Sequence, residues 1–135
     1  MVQLERRTLC DLAVAAADTF ADRPAFSVFA EGAFYGRLSY GDFGLRARGF
    51  AGALAALGIA AGDRVMILAE NRPEWVVAYF GTVLAGAVTV PVLTDFIPEH
   101  VGSVASHAEI SAVCATEKTL AKLAAAGIGQ DLPVL

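Results

Sequence analysis

The residues able to carry out chemistry are few and do not converge. Lys118-Thr119 has the Lys-Thr pair of a phosphate-binding loop, but Glu117 stands where such a loop needs a glycine, whose turn would expose backbone amides to phosphate. Gly127-Ile128-Gly129 follows a helical pattern instead of a strand, and Leu132 occupies the third glycine position of a dinucleotide fingerprint. Ser103, Ser106 and Ser111 lie near His107 in the chain. Two of them share a predicted helix with it, and none sits in a Gly-x-Ser-x-Gly elbow, so no hydrolase triad is read. His100 and His107 are two helical turns apart, about 10 Å, on one face but too distant to share a metal. Asp95, Glu99 and Glu109 are scattered and read as capping and solubilising groups instead of an acid–base pair. Cys10 and Cys114 have no metal spacing and read as unpaired, buried small hydrophobes in a reducing cytosol. No catalytic, cofactor-binding or metal residue is therefore assigned.

The elements that would position a site are clearer. Thr8 and Asp11 form a capping box that opens a helix to Phe20, with Leu9, Leu12, Ala16 and Phe20 at helical spacing. Asp22-Arg23-Pro24 stops it. Ala25 to Leu38 alternates apolar runs around Glu31-Gly32 and predicts a β-hairpin, with Phe26, Val28, Phe34 and Leu38 as its packed face. A second capping box, Ser39 and Asp42, precedes an apolar stripe of Phe43, Ala47, Phe50, Leu54 and Leu57, which Gly58 closes. Arg46 and Arg48 fall off that stripe, onto a solvated face.

From Arg64 the pattern alternates. Val65-Met66-Ile67-Leu68 predicts a strand buried on both faces, and Pro73 and Glu74 open a helix to about Ala85 with Trp75, Tyr79 and Val83 on one face. Val88 to Leu93 is a second buried strand. A helix from Pro98 to Ala108 carries Val101, Val104 and Ala105 on one side; Ala112 to Ala115 is a third strand; and Glu117 to Ala126 is a helix with Leu120 and Leu123 inward, ended by Gly127. Strand and helix in alternation predict a parallel sheet with crossover helices, behind an N-terminal helix and hairpin: an α/β fold with three or more parallel strands. Leu132-Pro133-Val134-Leu135 begins one further apolar run, expected to continue as another core element.

Composition bounds the partners. The 135 residues suffice for one domain and not two. The net charge of −4 concentrates no positive potential, which argues against nucleic acid. Apolar residues make up 56% and mean hydropathy is +0.58, more than a small domain can hide. Faces covered by further protein, or self-association through them, are the expectation. Trp75 to Thr94 is uncharged and long enough for a bilayer, but Gly81, Gly86, Pro91 and the recurring threonines divide it into a helix and a strand, so no transmembrane span is expected. Met1 to Arg7 shows no secretory h-region, consistent with a cytoplasmic protein.

Six short strings, in order, carry a resemblance. They are Thr8-Leu9-Cys10-Asp11-Leu12, Asp22-Arg23-Pro24-Ala25, Leu38-Ser39-Tyr40-Gly41-Asp42-Phe43, Leu57 to Val65, Asn71-Arg72-Pro73-Glu74-Trp75 and Ala85 to Pro91. Together they resemble the N-terminal region of AMP-forming acyl-CoA synthetases, and Glu70 to Trp75 looks most like the long-chain fatty acyl branch. The resemblance implies that residues 1–135 are the N-terminal portion of the large domain of such a ligase, which uses ATP and Mg²⁺ to make an acyl-adenylate and passes the acyl group to coenzyme A. The phosphate loop, ribose-binding aspartate, hinge and catalytic lysine of that family have no counterpart in the matched strings. The segment alone is expected to be an inactive scaffold, partnered by the remainder of its own chain, with peripheral membrane association open to the parent enzyme. Two other readings stay open: a free-standing, non-catalytic α/β interaction module, and, within the family, an enzyme that adenylates aryl or amino acids.

Overall fold

The computed structural model describes residues 8–129 and 131–135; the reading of Met1 to Arg7 lies outside them. The elements are α1 (Leu9–Thr19), β1 (Pro24–Ala30), β2 (Ala33–Ser39), α2 (Tyr40–Ala56), β3 (Arg64–Leu68), α3 (Pro73–Leu84), β4 (Val88–Pro91), α4 (Pro98–Ala108), β5 (Ala112–Ala115) and α5 (Glu117–Ala125). This is the expected α/β order. β1 and β2 pair antiparallel, while β4, β3 and β5 form a parallel sheet in that spatial order.

β3 is central because every side chain after its first is apolar and both faces must be covered. Val65, Met66, Ile67 and Leu68 are fully buried. Successive residues point to opposite faces. Met66 and Leu68 pack with Val101 and Ala105 of α4, Val113 of β5 and Leu123 of α5, whereas Val65 packs with Leu54 of α2 and Ala112. A third cluster joins Ala13, Leu38, Phe43 and Ala47, with Val76, Val77 and Phe80 of α3 against it. Helices therefore cover both faces of the sheet.

The apolar run at the C-terminus adds to the sheet. Val134 bridges Val113 in parallel; the Val113 and Ala115 amides donate to Pro133 and Leu135 carbonyls at 3.0 Å, and the Leu135 amide returns a bond to Val113 at 2.9 Å.

Several expectations are corrected. β4 is an edge strand, not a buried one: Val88 is 49% exposed and Pro91 lies open, a tolerable place for a residue without an amide hydrogen. In the hairpin Phe34 pairs with Phe29 and Val28 with Tyr35, so Val28 and Phe34 cannot share a face. Phe34 is 60% exposed and Val28 is also open; two register shifts near Phe26 leave only the hairpin base, Phe26 and Leu38, packed. Its turn places both Glu31 and Gly32 at positive φ, 52° and 78°, as a tight two-residue turn requires. α1 buries Ala13 and Ala17, because α2 approaches so closely on that side that only small residues fit; Leu9 and Leu12 remain exposed. Leu57 and Leu120 are exposed as well, Leu57 at the helix end where the chain turns at Gly58, and Leu120 because Thr119 takes the inward position. Ser39 caps α2, but Asp42 accepts from its hydroxyl at 2.9 Å, so the reciprocal backbone leg of the box is replaced. Cys10 and Cys114 are half-buried and unpaired; the Cys10 thiol donates to the Val83 carbonyl.

Candidate functional site

In open parallel sheets the crevice beyond the carboxyl ends of the strands is where ligands bind. Here that edge comprises the segment after β3 (Ala69 to Arg72), the loop 92–97 after β4, and Thr116 after β5. α5 begins at this edge and ties all of it together. Thr119 Oγ1, buried, donates to the Leu68 carbonyl at 2.8 Å. Thr116 Oγ1 donates to Glu70 Oε2 at 2.5 Å, and its own amide donates to Thr119 Oγ1 at 3.0 Å. Lys118 Nζ lies 3.6 Å from Glu70 Oε1. One turn on, Lys122 Nζ donates to the Thr94 carbonyl.

These bonds set the local electrostatics. The Thr116 hydroxyl, chiefly, and then the backbone and Lys118 hold the Glu70 carboxyl below its ordinary range. Arg72 and Glu74 meet at 2.7 Å, which lowers Glu74 and raises Arg72. Burial pushes the Cys114 thiol up.

Between the β3 and β4 ends lies a cleft of about 330 Å³, lined by Ala69, Glu70, Asn71 and Trp75 on one side and Pro91 to Asp95 on the other. Trp75 stacks on Tyr79 with centroids 5.4 Å apart. A second cleft of about 460 Å³ lies between the hairpin and the start of α3, sharing Asn71 and Trp75 with the first. Both clefts mix apolar side chains with polar ones, the first with Glu70, Asn71, Thr94 and Asp95 and the second with Ser27, Asn71 and Arg72.

Of the residues weighed from sequence, Lys118, Thr119 and Asp95 lie at this edge, and the others fall elsewhere. His100 and His107 are exposed on α4, His100 against the Phe96 ring. Ser103 Oγ donates to the Glu99 carbonyl, Glu109 pairs with Arg64 at the opposite end of the sheet, and Gly127 closes α5 with a positive φ of 73°. Among the described residues no three His, Cys, Asp or Glu side chains gather as a metal site. Sequence reasoning missed the Glu70–Thr116–Thr119 network. Its available signal was a Thr-x-x-Thr pair following a strand, a helix-start pattern whose distant partner no local reading reveals.

Comparison with known proteins decides the family. A model of the AMP-binding enzyme family matches residues 13–133. This chain belongs to that family. A long-chain-fatty-acid–CoA ligase of Mycobacterium tuberculosis is 34% identical to this chain over 83 residues, 62% of the chain and 16% of the relative. A salicyl-AMP ligase of the same organism is 36% identical over 100 residues, 74% of the chain and 18% of the relative. The crystal structure of the N-terminal domain of FACL13, also from Mycobacterium tuberculosis, superposes with a TM-score of 0.82 at 25% identity, covering 95% of the chain and 32% of that domain's chain. The chain thus spans less than a fifth of the length of the curated relatives it matches. The expected family and fold are borne out. Among the described residues no helix is long and apolar enough to cross a membrane, and Trp75 to Thr94 divides into α3 and β4 as its composition indicated.

Proposed function

We propose that these residues form a scaffold wall of the large N-terminal domain of an adenylate-forming ligase that activates a long-chain fatty acid. The supporting observation is the 34% identity over 83 residues with a long-chain-fatty-acid–CoA ligase, beside the family model's match to residues 13–133. In that reaction a carboxylate oxygen attacks the α-phosphorus of ATP, pyrophosphate leaves, and the thiol of coenzyme A then displaces AMP from the acyl carbon. ATP, Mg²⁺ and coenzyme A belong to the whole ligase, and no step is routed through a residue of this segment. Its own contribution is architectural: it supplies the carboxyl edge of a parallel sheet, braced by α5, as a rigid wall. Its partner is the rest of the ligase chain, in the cytoplasm.

The similarity to a salicyl-AMP ligase supports a second reading, an aryl carboxylate substrate. ATP–pyrophosphate exchange tests both. The complete protein is expected to exchange label with palmitate, and residues 1–135 alone are not. Exchange by the short chain would sink the scaffold reading, and exchange with salicylate but not palmitate would replace the fatty acyl assignment.

A further inference from the structure

The loop 92–97 is anchored at both ends and open between them. Val92 is buried and its amide donates to Ile67 at 2.9 Å; Phe96 is half-buried and packs on the core. The intervening tip is different. Leu93 is 68% exposed, Asp95 is exposed, and the tip's hydrogen bond to another element, among the described residues, is the one that Thr94 accepts from Lys122. Pro91 to Asp95 form one entire wall of the 330 Å³ cleft, facing Glu70, Asn71 and Trp75.

Lys122 is unusual in how its charge is used. Lys118, on the same helix, is exposed and pairs with a carboxylate. Lys122 is half-buried, and its ammonium goes to a neutral backbone carbonyl. A charged donor strengthens such a bond, and the four-carbon stem lets it span from helix to loop. We propose that Lys122 is a tether that holds the Leu93–Asp95 tip against α5 and so sets the width of the carboxyl-edge cleft. With the tether released, the tip is a flap hinged at Val92 and Phe96, and the cleft opens toward solvent.

The test is amide hydrogen exchange followed by mass spectrometry on the complete protein, comparing wild type with Lys122→Met and Lys122→Arg. Removing the donor is expected to speed exchange in peptides covering 92–97 about tenfold, with β3 and β5 unchanged and the arginine variant near wild type. Lys122→Leu, which likewise lacks a donor, replaces Lys122→Met should the latter fail to fold. Unchanged loop exchange overturns the tether, as does acceleration that spreads equally to β3 and β5, or an arginine variant as fast as the methionine one. Because the readout needs no substrate, its outcome is independent of the ligase reading.

Discussion

Thr119 shows how one hydroxyl serves two elements. It donates to Leu68 at the end of β3 and accepts from the Thr116 amide at the start of α5, in a position only 5% exposed. Thr119→Val leaves both backbone groups without that partner, so urea denaturation should show a loss of about 1–3 kcal/mol, most of it regained in Thr119→Ser. Glu70 adds a pH dependence. Its folded-state pKa lies below the ordinary 4.5, so its contribution is present above that value and is lost as pH falls through the depressed pKa. Glu70→Gln should therefore flatten part of the fall in urea midpoint seen on acidification from about pH 4.5. Cys114, whose thiol is raised by burial, should be alkylated at pH 8 more slowly than a free thiol in the same buffer.

Among the elements, α2 approaches both α1 and α3 closely at glycines. A Cβ at Gly81 of α3 would stand 2.8 Å from Phe50 Cβ and 2.9 Å from the Ala47 carbonyl of α2; one at Gly44 of α2 would stand 2.5 Å from Ala17 Cβ of α1. The neighbours include backbone and branch-point atoms that cannot swing aside. Gly81→Ala should cost about 1–3 kcal/mol in thermal or urea unfolding, whereas the same change at the open, helical Gly49 should stabilise by about 0.5–1 kcal/mol. The outcome at Gly49 separates crowding from helix propensity. Gly81 reads from sequence as a break in the Trp75 to Thr94 stretch, since a single sequence does not say which neighbour will approach.

Over the whole molecule, much of the apolar content stays outside. Phe29, Phe34, Leu45, Leu93 and Ile97 are each more than half exposed. Residues 1–135 on their own should bind a hydrophobic dye and self-associate with rising concentration in sedimentation, and Phe29→Ser with Phe34→Ser should reduce both. A dye-silent monomer would contradict the view that these faces are covered in the complete protein.

The amino-acid order alone determined the alternation of strands and helices, their limits to within a residue or two, and the helix starts at Thr8, Ser39 and Pro73, because capping, proline geometry and hydrophobic period act within a few neighbours. It also carried the family, through strings whose scaffold roles are local. Only tertiary structure decided that β4 is an edge, that Phe34 faces outward, and that Glu70 meets Thr116 across 46 positions. Those facts depend on spatial strand order, cross-strand register and long-range approach. None of these leaves a mark on the residues next door, and so the fold was readable while the bracing of its carboxyl edge was not.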